Sequence, residues 1–130
     1  MRITREMLGP LCQAQYDRAM AKRKSLPDVP SAAMNKWESQ YARFLDADVL
    51  GGRIEWYGFE RLTIRLAKRT RYTPDFTVIR NGRIEFHEVK GFWRDDARVK
   101  LKVAAEMNRW ATFFAVTKKH GDWEWERIIP

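Results

Sequence analysis

Apolar residues along this chain recur with two different periods, and the changes of period mark out its elements. From about Ala32 or Asn35 to Val49, Trp37, Tyr41, Phe44 and Leu45 fall at helical spacing, with Asp48 closing the same stripe. Gly51-Gly52 supplies a stop. The period then drops to two. Ile54 to Tyr57 and Leu62 to Leu66 read as strands, the second alternating as a half-buried strand does. Two further β-type runs, between Thr73 and Gly91, flank Asn81-Gly82, the strongest short-range signal for a hairpin. Asp95-Asp96 then suit a helix N-terminus. The helical period returns as far as about Arg109, with Val99, Val103, Met107 and Trp110 as the expected core stripe. Thr112 to Lys118 reads as a buried strand, and Trp123 to Ile128 as an edge strand after a turn at His120-Gly121-Asp122.

Only the helix after the hairpin crosses between strands. A crossover implies a parallel pair in an otherwise antiparallel sheet. The expected fold is therefore α+β, a mixed β-sheet flanked by helices. Ahead of it, residues 1–24 read as helical, broken at Gly9-Pro10, with Leu11, Tyr16 and Met20 among the apolar positions. Arg18, Lys22, Arg23 and Lys24 close that segment; they suit a helix C-terminus, or an arm lying on a phosphate backbone. Ser25 to Ser31, with two prolines and two serines, is a linker. The expected division is an N-terminal helical appendage and linker over 1–31 and a single domain over 32–130.

Composition narrows the classes. The 130 residues suffice for one domain with a real core, and six Trp, seven Phe and four Tyr can fill it. The apolar runs are too short for a membrane span, and the start lacks the apolar region of a secretory signal. A single cysteine, Cys12, forms no intrachain disulfide, and no Cys/His cluster suggests zinc. The expectation is a cytoplasmic protein without a membrane partner. A net charge of +8 points to an anionic partner, of which nucleic acid is the commonest. Arg61, Arg65, Lys68, Arg69 and Arg71 run directly into Pro74-Asp75.

The hairpin carries the candidate chemistry. Asp75 opens its first strand, and Glu88 and Lys90 close its second. Side chains alternate along a strand, so Glu88 and Lys90 share a face, and antiparallel pairing brings Asp75 toward Glu88. Two carboxylates held close repel unless something positive lies between them. Oxygen ligands favour Mg²⁺, with Mn²⁺ as substitute. Asp75 and Glu88 would be fixed ligands, the Val89 carbonyl a third, and Lys90 would stand beside the attacking water or neutralise charge on a phosphate. These parts suit metal-assisted hydrolysis of a phosphodiester. The plainer alternative is a Glu88–Lys90 ion pair with Asp75 merely following a turn proline. Glu38 has two readings: the acid of a capping box with Asn35, or a further member of the acid cluster. His87 faces away from Glu88 and reads as a packing or surface residue. Trp93 suits packing under the next helix, or stacking on a base.

Pro74-Asp75, with Glu88-Val89-Lys90 following thirteen residues after the Asp, resembles the motif of the PD-(D/E)xK nucleases, the restriction-endonuclease-like superfamily. The order of elements from residue 35 to about 117 is similar to that family's core. Asn35-Lys36-Trp37-Glu38, Tyr72-Thr73-Pro74-Asp75-Phe76 and His87-Glu88-Val89-Lys90-Gly91 look like a group of small phage-encoded endonucleases. The resemblance implies that Asp75 and Glu88 ligate Mg²⁺, that Lys90 is the catalytic lysine, and that Glu38 is a further acid on the first core helix. It also implies a basic residue on the helix after the lysine strand, either Lys100 or Lys102. The glutamine-and-tyrosine signature of some exonuclease members is absent; Arg98-Val99-Lys100-Leu101-Lys102 stands there instead. The expected function is a metal-dependent DNA endonuclease, either a nickase or a branched-DNA enzyme, with Lys100, Lys102, Arg69, Arg71 and Arg94 on the DNA. The alternative is a catalytically inactive DNA-binding protein of the same fold. Cutting both strands usually takes two sites, so a homodimer fits. A phage-encoded enzyme would work in the host cytoplasm.

Overall fold

Helix α1 (Lys36–Leu50) begins at a capping box. The Glu38 N–H donates to Asn35 Oδ1 at 2.9 Å, and the Asn35 N–H donates to Glu38 Oε2 at 2.9 Å. Two otherwise orphaned amides are satisfied reciprocally. At the other end the Gly51 N–H bonds the Ala47 carbonyl, and Gly52 takes φ +71°, backbone that glycine adopts without a Cβ penalty. The structure, a computed structural model, describes residues 34–130 together with Ala14 and Asp17. The expected N-terminal helix, its basic end, the 25–31 linker and Cys12 otherwise lie outside the described residues.

After α1 come β1 (Trp56–Phe59), β2 (Ile64–Ala67), β3 (Thr70–Tyr72), β4 (Phe76–Arg80) and β5 (Arg83–Val89). Helix α2 (Asp95–Met107) follows, then β6 (Thr112–Lys119) and β7 (Asp122–Arg127). Five strands form one sheet in the order β1-β4-β5-β6-β7, while β2 and β3 form a separate two-stranded ribbon. Every pair in the large sheet is antiparallel except β5–β6, the pair joined by α2. The architecture is α+β with a mixed sheet, as the single crossover requires. Strand β3 was not foreseen; it lies in the basic run before Thr73. Asn81 (φ +52°) and Gly82 (φ +73°) form the β4–β5 turn with both central residues left-handed, the geometry that matches strand twist. Among the described residues no helix is long and apolar enough to cross a membrane.

The large sheet is covered on two sides. On the α1 side Tyr41 and Leu45 pack with Phe59, Phe76, Val78, Val89 and Val116. On the other, Leu101, Ala104 and Ala105 of α2 pack with Phe86 and Phe113, and with Ile64, Leu66 and Tyr72 of the ribbon. Alternation along β5 sends Val89 toward α1 and Phe86 toward α2.

The face of α2 that meets the core corrects the sequence reading. Val99 and Met107 are 60% and 53% exposed, and Val103 and Trp110 are exposed as well. Leu101, Ala104 and Ala105 are buried instead. The two stripes lie on roughly opposite sides of a helix with about 100° per residue. Small alanines let the helix backbone settle closely, so the less apolar face takes the core. Leu101→Ala should therefore cost about 2–5 kcal/mol in chemical denaturation, whereas Val103→Ala should stay within about 0.5 kcal/mol. The reverse ranking would restore the Val99–Val103–Met107 stripe to the core.

Candidate active site at the end of the hairpin

The register of the hairpin decides where its acids meet. Phe76 pairs with His87 in the β4–β5 ladder, so Asp75 and Glu88 are the next residues outward on the two strands. Their own backbones tie them together. The Asp75 N–H donates to Glu88 Oε2 at 3.2 Å, and the Val89 N–H donates to Asp75 Oδ2 at 2.9 Å. Lys90 Nζ lies 3.5 Å from Glu88 Oε1, with its side chain partly open to solvent. Asp75, Glu88 and Lys90 therefore converge at one end of the sheet. Val89 enters the group through its N–H, and its side chain is buried beneath α1.

Tyr72 belongs to this group and was not singled out beforehand. Its hydroxyl donates to Glu88 Oε2 at 2.5 Å. Burial, and then the Glu88 charge, push that hydroxyl's pKa far upward, so it remains a donor. Glu88 Oε2 thus receives two donors, whereas Oε1 faces Lys90. No period-two pattern marks Tyr72, because its strand is only three residues long. Its signal in the sequence was its place three residues before Asp75, within the Tyr72 to Phe76 stretch that carries the resemblance.

Both carboxylates are buried, which is unusual for charged groups without a strong partner. Asp75 is pushed up to about 8, first by burial and second by the Glu88 charge. The Val89 N–H and Lys90 pull in the opposite direction, while Glu38 adds to the rise. The pair is therefore poised to hold a proton, or to receive a cation in its place.

Glu38 is close enough for its charge to act on Asp75, but its Oε2 is engaged in the helix cap. The capping reading is the one α1 adopts. Among the described residues no group of three or more His, Cys, Asp or Glu side chains is placed to hold a metal. The acid cluster here consists of two carboxylates with Glu38 as a neighbour. Gly91 explains how α1 comes so near. A Cβ there would lie 2.7 Å from Trp37 Nε1, so only glycine leaves room for the first turn of α1 against the end of β5.

The outer residues separate. Lys100 Nζ sits 5.9 Å from the centre of the Tyr72 ring, beside the site. Lys102, about 200° further around α2, lines a different groove of about 510 Å³ with Val103, Glu106, Met107, Ile129 and Pro130. Lys100 is thus the lysine of α2 that lies over Tyr72, whose hydroxyl reaches Glu88. Arg94 is the exposed N-cap residue of α2, with no side-chain capping bond. Arg69 and Arg71 are exposed on the β2–β3 ribbon. Phe92, two residues beyond Lys90, is 81% exposed. Trp93 packs against the α2-side core, with the Arg98 guanidinium 5.9 Å from its ring centre.

His87 lies on the opposite face of the sheet. Its Nδ1 pairs with the Tyr41 hydroxyl at 2.5 Å and its Nε2 with Glu85 Oε1 at 2.9 Å. Burial pushes its pKa down, which suits a neutral packing residue. Chemically, the site offers two buried carboxylates, a flexible ammonium at their mouth and cations on the approaches. No protein-family model, curated protein or solved structure matches the chain.

Proposed function

We propose that this protein is a divalent-metal-dependent DNA endonuclease with a restriction-endonuclease-like core of the PD-(D/E)xK kind. The observation that carries the reading is the buried Asp75–Glu88 pair with Lys90 beside it. Two adjacent carboxylates removed from water are costly to ionise together, and Asp75 registers that cost. Stability alone gives no reason to build such a pair. A small hard cation does, because Mg²⁺ is commonly held by one or two carboxylates, with waters and substrate phosphates completing its shell.

The donor set fits Mg²⁺ or Mn²⁺: two carboxylates, with the Val89 carbonyl as the candidate backbone ligand and Glu38 as a neighbouring acid. When bound, such a cation supplies an acidified water and positive charge for the attacked phosphate. The protein's own groups do the remainder. Tyr72 and the Asp75 N–H hold Glu88 in one orientation, and the Val89 N–H holds Asp75. The Lys90 ammonium orients the attacking water and offsets charge that develops on the phosphate. Lys100, Arg94, Arg69 and Arg71 hold the polyanion alongside, and the exposed ring of Phe92 offers a stacking surface for an unpaired base.

The substrate test uses supercoiled plasmid, linear duplex, single strands and a four-way junction, each with Mg²⁺ or with chelator. Cleavage with Mg²⁺ and none with chelator is expected. Faster cutting of the junction than of linear duplex selects the branched-DNA enzyme, and accumulation of open circles selects the nickase. Binding without cleavage on every substrate would replace the enzyme by a catalytically inactive DNA-binding protein.

Tyr72→Phe tests the hydrogen bond to Glu88. Removing a group that orients a ligand typically costs about 10–100-fold in metal affinity. The Mg²⁺ concentration for half-maximal cleavage should rise by about that factor, with the rate at saturating Mg²⁺ largely kept. An unchanged metal requirement would remove Tyr72 from the site.

A further inference from the structure

We propose that the outward face of the β2–β3 ribbon is a docking surface for the phosphate backbone of duplex DNA, which it guides toward Asp75 and Glu88. The proposal rests on the nuclease reading for the destination of the DNA, and it extends the contacts of Arg69 and Arg71 to a whole surface that includes Arg65 and Lys68. Ile64, Leu66 and Tyr72 turn inward and pack with α2. Alternation then sends Arg65 and Arg71 outward, and both are exposed. They are direct cross-strand partners. Like charges directly opposite each other destabilise a strand pair.

The large sheet supplies an internal comparison. Arg80 and Arg83 are also cross-strand partners, but Glu85 Oε2 accepts from Arg80 Nε at 3.1 Å and neutralises that end. On the ribbon no acid plays this part. Among the described residues Arg61, Arg65, Lys68, Arg69 and Arg71 form no ion pair, a state they share with Arg83, Arg94 and Lys100, so what sets the ribbon apart is the direct Arg65–Arg71 pairing with no acid beside it. The Arg65 Nε–H reaches only the Ala67 carbonyl, at 3.4 Å. The turn adds a second local cost. Arg69 takes φ +61°, a left-handed conformation where glycine would relax the backbone. A long cation stands at that tip instead.

An anion that bridges Arg65 and Arg71 and reaches Lys68 and Arg69 relieves this repulsion. The cations lie along both strands and the turn rather than converging on one point, which suits an extended polyanion better than a small one. The ribbon also runs into the site along the chain. Asp75 follows Arg71 by four residues, a span of at most about 13 Å, so the two lie within roughly four base-pair rises of duplex. The Thr63 and Thr73 hydroxyls, 2.9 Å apart, join the two chains at the ribbon's base. Tyr72, the last residue of β3, already touches Glu88.

The test is the salt dependence of binding to a 20-base-pair DNA duplex, read by fluorescence anisotropy with chelator present so that nothing is cut. Each phosphate neutralised contributes about 0.9 to the slope of log K against log salt. The double variant Arg65→Gln/Arg71→Gln should lower that slope by about 1.8. Arg83→Gln, which removes an exposed cation at the far end of the hairpin, should leave the slope unchanged. The double variant should also melt no lower than wild type, because the repelling pair is gone. An unchanged slope in the double variant overturns the proposal, as does an equal loss in Arg83→Gln. An RNA duplex bound more tightly than DNA, with the same dependence on the ribbon, overturns the assignment to DNA. If wild type binds as described but never cuts, the nuclease reading fails while the ribbon surface stands.

Discussion

Asp75→Asn is expected to abolish cleavage and, at the same time, to stabilise the metal-free protein at pH 8. Asparagine keeps an oxygen to accept the Val89 N–H but loses the charge that a cation requires. The stability effect follows from the direction of the pKa shift. Asp75 is raised from 3.8 to about 8 in the folded chain, so the native state binds its proton more tightly than the unfolded state does. The resulting stabilisation is fully present below about pH 4 and is lost as pH rises through about 8. In wild type with chelator, urea denaturation should therefore show a loss of a few kcal/mol between about pH 4 and pH 8. The Asn variant should show far less of this slope. Added Mg²⁺ should restore wild type at pH 8, because it binds only the folded state, and should do little for the variant. Equal pH slopes in the two proteins would show that Asp75 is not the buried carboxylate with a raised pKa described above.

Lys90→Met should separate metal binding from chemistry. The ammonium lies beside Glu88 Oε1 and is the most exposed of the three converging side chains. Removing it leaves both carboxylates in place and takes away a competing positive charge. Mg²⁺ should bind at least as well as in wild type. Cleavage at saturating Mg²⁺ should fall by about 10²–10³-fold, the usual loss when one group stabilising transition-state charge is removed. Loss of metal binding together with activity would instead make Lys90 a structural counter-ion of Glu88.

Much of the fold was legible because its signals are local. Asn81-Gly82 demands a tight turn, and that turn sets the register that places Asp75 beside Glu88. The helix between β5 and β6 demanded their parallel pairing, which is observed. Three things were not legible, each for a physical reason. The spacing of Asn35 and Glu38 serves a helix cap and an acid cluster equally well, and only the fold shows that the cap is formed. The stripe Val99, Val103 and Met107 marks an apolar side of α2, but periodicity cannot say that the sheet prefers the alanines opposite. Tyr72 meets Glu88 through the fold of a separate ribbon, a contact sixteen residues apart that no local pattern encodes.

Binding of Mn²⁺ to the isolated protein, followed by the loss of the free ion's electron paramagnetic resonance signal, addresses the carboxylate pair itself. Wild type should take up one ion per chain at pH 8, Lys90→Met should do the same, and Asp75→Asn/Glu88→Gln should take up none. Uptake by the double variant equal to that of wild type would contradict a metal site at Asp75 and Glu88, and with it the nuclease reading of this hairpin.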